Sequence, residues 1–252
     1  MLSENRAVYE EQSPLYTYEC DVNQSWKPAA FFQHMTAVAN DHVSKLGIGH
    51  ADLFKKGLYW VLSRMKLKFH RIPQAGDEIT IRTWPKTIQQ KLFYIRDFEV
   101  LDDDSQQLAV ATSAWLIIDA KTRRMTIPRT LQLDMPEQSD KQGLDESLEK
   151  INLAEEGEER LRIQAAYSAV DLIGHVNNSR YIEWICDSFP YEWMTERKLD
   201  YLQINYDHEI LPGSDVSIQV NPVPQDANLW AVAGHNLTNQ TRAFEAAVRW
   251  QG

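Results

Sequence analysis

Cysteine is scarce in this 252-residue chain, which holds only Cys20 and Cys186. Two thiols cannot build a disulfide framework or, alone, a metal cluster. Long apolar runs are missing too: no segment approaches the roughly 20 residues that a membrane-spanning helix needs. The opening stretch MLSENRAVYEEQSP has neither the basic n-region nor the apolar h-region of a signal peptide, so a cytoplasmic protein is expected. Basic residues are outnumbered, 26 Lys and Arg against 36 Asp and Glu, for a formal charge of −10. With no long basic run, that balance excludes nucleic acid as the main partner.

What the chain does hold is material for a core. Hydrophobic residues make up 43% of it, with eight tryptophans, and charged residues stay at 25%, the globular average. The length suits one large domain or two smaller ones.

Internal repetition points to two. Residues 70–81 read HRIPQAGDEITI and residues 208–218 read HEILPGSDVSI. Each is preceded by an alternating run, LSRMKLKFH and YLQINYDH, with the period of a half-buried strand. Two further strand-like runs follow each copy. In the first they are KLFYIRDFEVLD and QLAVATSAWLIID, parted by the turn-forming DDDS; in the second, LWAVAGHNLT and TRAFEAAVRWQG. Each copy also opens with a strand, LYTYECDV or RIQAAYS, and then a long helix. The first helix is expected over 26–46, where Phe31, Met35, Val38, His42 and Leu46 recur every three or four positions and Gly47 supplies a stop. In the second, Tyr181, Trp184, Ile185 and Ser188 share a face, with Ile182 beside them, and Pro190 ends the helix. The predicted fold class is α+β: two tandem units, each an antiparallel sheet wrapped around one long central helix. Their expected bounds are 1–135 and 161–252. Residues 136–160 between them are acidic and nearly free of aromatics, the composition of a solvated linker, with room for a short helix.

The polar residues are less evenly shared. The stretch AVDLIGHVNNSRYIEWICDSFP (169–190) sets Asp171, Gly174, His175, Asn177 and Asn178 at the start of the second helix, where the first begins VNQSWKPAAFF. One reading is helix capping by Asn177 or Asn178, with Gly174 permitting the turn. The other is half of an acyl-transfer site: a carboxylate and an imidazole near a helix N-terminus whose dipole favours developing negative charge. Cys186 is near His175 in sequence but falls in the apolar stripe, which reads as a core thiol rather than a nucleophile.

The same stretch resembles the signature of the acyl-acyl-carrier-protein (acyl-ACP) thioesterases of plants and bacteria, Asp-x-Asn-x-His-Val-Asn-Asn followed by Tyr-Ile and an aromatic. The likeness extends to LYWVLSRMKLKFHRIPQAGDEITIRTWP (58–85), ATSAWLIIDAKTRRMTIP (111–128) and INYDHEILPGSDV (204–216). That resemblance implies two tandem hotdog domains and hydrolysis of fatty acyl-ACP to free fatty acid, which ends chain elongation. Its catalytic residues fall on Asp171, His175 and Glu209. It implies no cofactor and no metal, since a thioester is already activated. The partner it implies is acyl carrier protein bearing an acyl-phosphopantetheine, and the assembly a monomeric pseudo-dimer or a homodimer. Two departures stand out: Ile173 replaces the family's Asn, and Ile210 replaces a Cys found in plant members. Asn177, Asn178, a backbone N–H or water are the candidates to stand in for the missing amide. The acyl tail is expected in the first unit, with Trp60 and Met65 in its lining, and Glu209 as a buried base of raised pKa. Carrier docking is assigned to Lys121, Arg123 and Arg124, with Lys66 and Lys68 as further candidates. The alternatives are an acyl-CoA thioesterase, a hotdog dehydratase or a non-catalytic acyl-binding protein.

Overall fold

The computed structural model describes residues 6–131, 133–152 and 157–251. Ten strands run in chain order: β1 (Tyr9–Pro14), β2 (Leu58–Phe69), β3 (Glu78–Gln89), β4 (Phe93–Leu101), β5 (Gln107–Asp119), β6 (Glu158–Gln164), β7 (Lys198–Tyr206), β8 (Asp215–Val223), β9 (Asp226–Asn236) and β10 (Thr241–Gln251). The helices are α1 (Pro28–Lys45), α2 (His50–Phe54), α3 (Pro128–Leu131), α4 (Asn178–Asp187) and α5 (Tyr191–Glu196). The strand order is β1-β3-β4-β5-β2-β7-β10-β9-β8-β6, with every pairing antiparallel. It is the same five-strand order, written forward and then reversed about the β2–β7 junction. The two halves therefore share one continuous sheet, joined where Lys66 lies opposite Gln203.

The long helices form for the reasons their sequences give. Pro28 at the first turn of α1 has the fixed φ a helix start needs, and Gly47, at φ +74, follows its last turn. Phe31, Met35, Val38 and His42 are all buried against the sheet. On α4, Tyr181, Ile182, Trp184 and Ile185 do the same. Both faces feed one hydrophobic core, and each fully buried Phe or Ile there contributes about 1.5–3 kcal/mol. Two expected strands differ from the structure. Residues 15–22 instead hold a 3-10 turn, Thr17–Glu19, after β1, and of 162–168 only the first three residues are strand, the end of β6, before the 3-10 turn Tyr167–Ala169.

The acidic connector is also not the solvated linker its composition suggests. Leu144, Leu148 and Ile151 are buried. Its carbonyls accept hydrogen bonds from the outer face of the central strands: Ser147 from Lys66 (2.7 Å), Leu148 from Arg64 (3.2 Å) and Glu149 from Gln203 (2.6 Å). Polar side chains on a covered sheet face need partners, and this strap supplies them. Its described residues hold no helix.

Candidate active site

A cleft of about 930 Å3 opens between α1 and the start of α4. Asp171, Ile173, His175, Asn177, Asn178 and Glu209 line it from the second half, and Trp60, Trp115 and Arg123 from the first.

The loop before α4 is built by Asp171. Its Oδ1 accepts the backbone N–H of Ile173 (3.0 Å) and of His175 (3.4 Å), while its own N–H donates to the His175 carbonyl (2.9 Å). Gly174 supplies the left-handed φ of +84 that the turn requires. The first half repeats this loop. Asp21 Oδ1 accepts from Asn23 (2.8 Å) and Ser25 (3.0 Å), and Gln24 takes the positive φ. The carboxylate is thus common to both halves, and the expected contrast between them narrows to His175 against Ser25. Where Val176 N–H bonds the Ile210 carbonyl, Trp26 N–H bonds that of Pro73, so Glu209 corresponds to Ile72. At these matched positions the second half has an imidazole and a carboxylate, His175 and Glu209, where the first has Ser25 and Ile72.

Those two groups meet. His175 Nδ1 lies 3.4 Å from Glu209 Oε2, and the other carboxylate oxygen, Oε1, accepts from Arg123 Nη2 at 2.5 Å. Arg123, assigned to carrier docking from the sequence, forms an ion pair with Glu209 while its side chain stays 55% exposed. Glu209 is not buried as expected: its side chain is 42% exposed at the cleft mouth. Asn177 is the α4 cap, its Oδ1 accepting from Ser179 N–H at 3.0 Å. The Asn178 side chain makes no hydrogen bond among the described residues and faces the cleft free. Ile173 is 48% exposed and Leu172 94%, which puts an apolar rim where the related pattern has an amide.

Other expected positions divide. Trp60 lines the cleft, its indole N–H fixed on the Ile48 carbonyl (2.9 Å). Met65 does not: it is buried in the hydrophobic core, because its place on β2 turns it into the packed interior rather than the cleft. Lys66 is buried beneath the connector and so cannot meet a carrier, whereas Lys68, Lys121 and Arg124 are exposed. Burial pushes the Cys186 thiol up to about 12, the opposite of nucleophilic activation. Sequence reasoning missed Tyr59, Tyr206 and His208 in the cleft wall. Tyr59 and Tyr206 sit on strand positions whose alternation gives no sign of chemistry, and His208 lies in the loop just after β7.

Residues 6–129 match the family model of the acyl-ACP thioesterase N-terminal domain, and residues 153–252 that of the C-terminal domain. The chain belongs to the acyl-ACP thioesterase family. It is 26% identical to a chloroplastic oleoyl-acyl carrier protein thioesterase of Coriandrum sativum, over 93% of this chain and 68% of that protein. Against a chloroplastic palmitoyl-acyl carrier protein thioesterase of Arabidopsis thaliana it is also 26% identical, over 94% of this chain and 58% of that one. The chain thus spans only part of those plant relatives. An acyl-ACP thioesterase structure from Bacteroides thetaiotaomicron matches over the full length of both chains, with a TM-score of 0.89 and 25% identity. The 12:0-ACP thioesterase from Umbellularia californica shares the fold, at a TM-score of 0.79 and 20% identity.

In this acyl-ACP thioesterase family member the two halves are unequal beneath their helices as well. Just past the C-terminal end of α4, Phe189 stacks on Trp193 of α5 (5.6 Å between centroids) and meets Trp230 and Trp250 edge-on at 6.0 and 5.4 Å. Under α1 a narrow apolar pocket remains, which shares Asn40, Trp60 and Trp115 with the cleft.

Proposed function

We propose that this chain hydrolyses the thioester of fatty acyl-ACP, releasing free fatty acid and the carrier thiol. The observation that carries this reading is the meeting of His175 and Glu209, from separate elements, at one cleft in a chain of this family.

The chemistry follows from the placement. Arg123 occupies one Glu209 oxygen and leaves Oε2 toward His175 and the cleft. With water bound there, Glu209 takes a proton as the oxygen attacks the carbonyl carbon. The resulting oxyanion forms beside the α4 N-terminus, where the free Asn178 amide and His175 supply donors; one such donor contributes about 3 kcal/mol. Asn178 thereby replaces the amide that Ile173 lacks. Collapse expels the pantetheine thiolate, which receives the proton held by the Glu209–His175 pair. Asp171 holds the loop that aims His175.

The acyl tail enters the first half, since the pocket under α1 adjoins the cleft whereas in the second half aromatics pack together just past α4. The second half supplies the catalytic groups. The carrier approaches over the turn after β5, where Lys121 and Arg124 are exposed and no ion pair engages them among the described residues. On a chain of net charge −10, that local cationic patch gives an acidic carrier its landing place.

Release of free fatty acid from a panel of acyl-ACP and acyl-CoA thioesters tests the reading. Turnover of acyl-ACP with kcat/KM at least tenfold above the matching CoA ester is expected. Binding without release would replace the hydrolase by an acyl-binding protein.

A further inference from the structure

The catalytic cleft has a counterpart in the other half. The sheet repeats itself about the point where Lys66 lies opposite Gln203, so Leu62 on β2 matches Leu199 on β7. Trp115, opposite Leu62, then matches Trp250, opposite Leu199. Leu62 and Trp115 line the cleft with Asp171 and His175. Leu199 and Trp250 line a separate cavity of about 430 Å3 with Asp21 and Ser25. Ser25 and Ile72 hold the places of His175 and Glu209, so the pair that meets in the cleft has no equivalent here.

The lining of this second cavity carries unused donors. Trp26 and Trp250 are 1% and 2% exposed, and neither indole N–H has an acceptor among the described residues. In the cleft, Trp115 donates to Ser113 Oγ at 2.8 Å. Val248 stands at the position matched to Ser113, so Trp250 lacks that partner. An indole N–H can only donate, and a buried one calls for an acceptor from elsewhere. Toward solvent, Arg197 stacks over the Trp193 ring at 3.7 Å and Lys198 is exposed, and neither pairs with a carboxylate among the described residues. Among the charged residues of the lining, Arg71, Arg197 and Lys198 outnumber Asp21 and Glu196. The Asn23 amide donates to the Thr195 carbonyl (2.8 Å) and ties the end of α5 to the Asp21 loop.

We propose that this cavity is a second, non-catalytic binding site for a phosphopantetheine arm. The choice of ligand rests on the acyl-ACP hydrolase reading; the site itself rests on the cavity and its unpaired donors. A pantetheine chain is slender and carries two amide carbonyls. Entering thiol first, it runs along Phe69, Met194 and Leu199, and its carbonyls accept from the Trp26 and Trp250 indoles. Its phosphate stays at the rim, where Arg197 and Lys198 supply charge-assisted donors. A fatty acid answers less of the lining, because its single carboxylate meets either the indoles or the cations and not both. An arm bound here keeps its thioester, since Ser25 and Ile72 offer neither the imidazole nor the carboxylate of the cleft. Free coenzyme and the carrier protein present the same phosphate and diamide chain.

The test is nitrogen–proton NMR of the eight tryptophan indoles in the full chain, each assigned by single substitution to Phe, during titration with phosphopantetheine. The Trp26 and Trp250 signals should move downfield, saturably and with one Kd, as each N–H gains an acceptor. Trp250→Phe keeps the ring without the donor and should weaken binding about fivefold. Arg197→Glu combined with Lys198→Glu should weaken it at least about tenfold. In that double variant, binding of pantetheine without its phosphate should change less than twofold, and acyl-ACP turnover should be unchanged. Coenzyme A and holo-carrier protein, titrated separately, identify the source of the arm, and shifts of the two indoles with either uphold the site. Trp26 and Trp250 signals that stay fixed with all three ligands overturn it. Shifts confined to Trp60 and Trp115, which line the catalytic cleft, also overturn it and leave the hydrolase reading intact. Shifts at Trp26 and Trp250 in a protein without turnover refute the hydrolase reading and uphold the second site.

Discussion

Arg123 Nη2 and Glu209 Oε1 are 2.5 Å apart, joining the turn after β5 in the first half to the loop after β7 in the second. Both side chains are about half exposed, so the pair adds no more than about 1 kcal/mol to stability. Its effect is on orientation. Arg123→Ala should lower kcat about tenfold while the KM for acyl-ACP stays within twofold and Tm falls by no more than about 4 °C. A raised KM at unchanged kcat would return Arg123 to the docking surface.

Docking itself is assigned to Lys121 and Arg124. Reversing both to Glu should raise the KM for acyl-ACP about tenfold at low salt, with the difference shrinking as ionic strength screens it. Hydrolysis of a small acyl-pantetheine thioester should be unaffected. Equal losses on both substrates would place the defect in the site rather than at the surface.

Asp21 and Asp171 hold equivalent loops, and only one lies beside an imidazole. Removing either carboxylate leaves two backbone N–H groups without their acceptor, and Asp21→Ala and Asp171→Ala should each destabilise the protein by about 1–2 kcal/mol. Denaturation midpoints read this. Only Asp171→Ala should also reduce kcat, because only there does the loop aim His175. Matching activity losses in the two variants would contradict the division of labour between the halves.

That duplication shows what the sequence makes visible and what it hides. The succession of β2 to β5 and of β7 to β10 along the chain, and both long helices, follow from period-2 and period-3.6 patterns, the latter around Phe31, Met35, Tyr181 and Trp184, since burial acts through local periodicity. The pairing of β2 with β7 is not local. Lys66 reads as an exposed strand lysine until the connector is laid over it and its amine finds the Ser147 carbonyl. The same blindness affects the site. His175 and Glu209 are legible through their motifs, but the ion pair of Arg123 with Glu209 spans 86 residues and no spacing rule reports it. Asp171 looks distinctive beside the stretch VNQSWK, yet Asp21, the residue just before that stretch, holds the equivalent loop.

His42 gives a pH signature for stability. Its pKa falls from 6.5 to about 4, first because it is buried and second because Arg96 lies against it. The unfolded chain therefore binds a proton that the folded one refuses between those values. Stability is full above pH 6.5 and declines as pH falls toward 4, by about 3 kcal/mol at most. Tm measured from pH 7 to 4 should drop in the wild type and drop less in His42→Gln, which keeps an acceptor for Arg96 but does not titrate. Parallel curves would remove His42 as the source.

Glu209 and His175, meeting at one cleft, are expected to carry thioester hydrolysis together. The most direct measurement is single-turnover release of fatty acid from acyl-ACP by the wild type, Glu209→Gln, His175→Ala and Cys186→Ser, each confirmed folded by Tm. Losses of at least about 100-fold in the first two variants are expected, with Cys186→Ser unchanged. Wild-type rates in Glu209→Gln and His175→Ala would contradict the account.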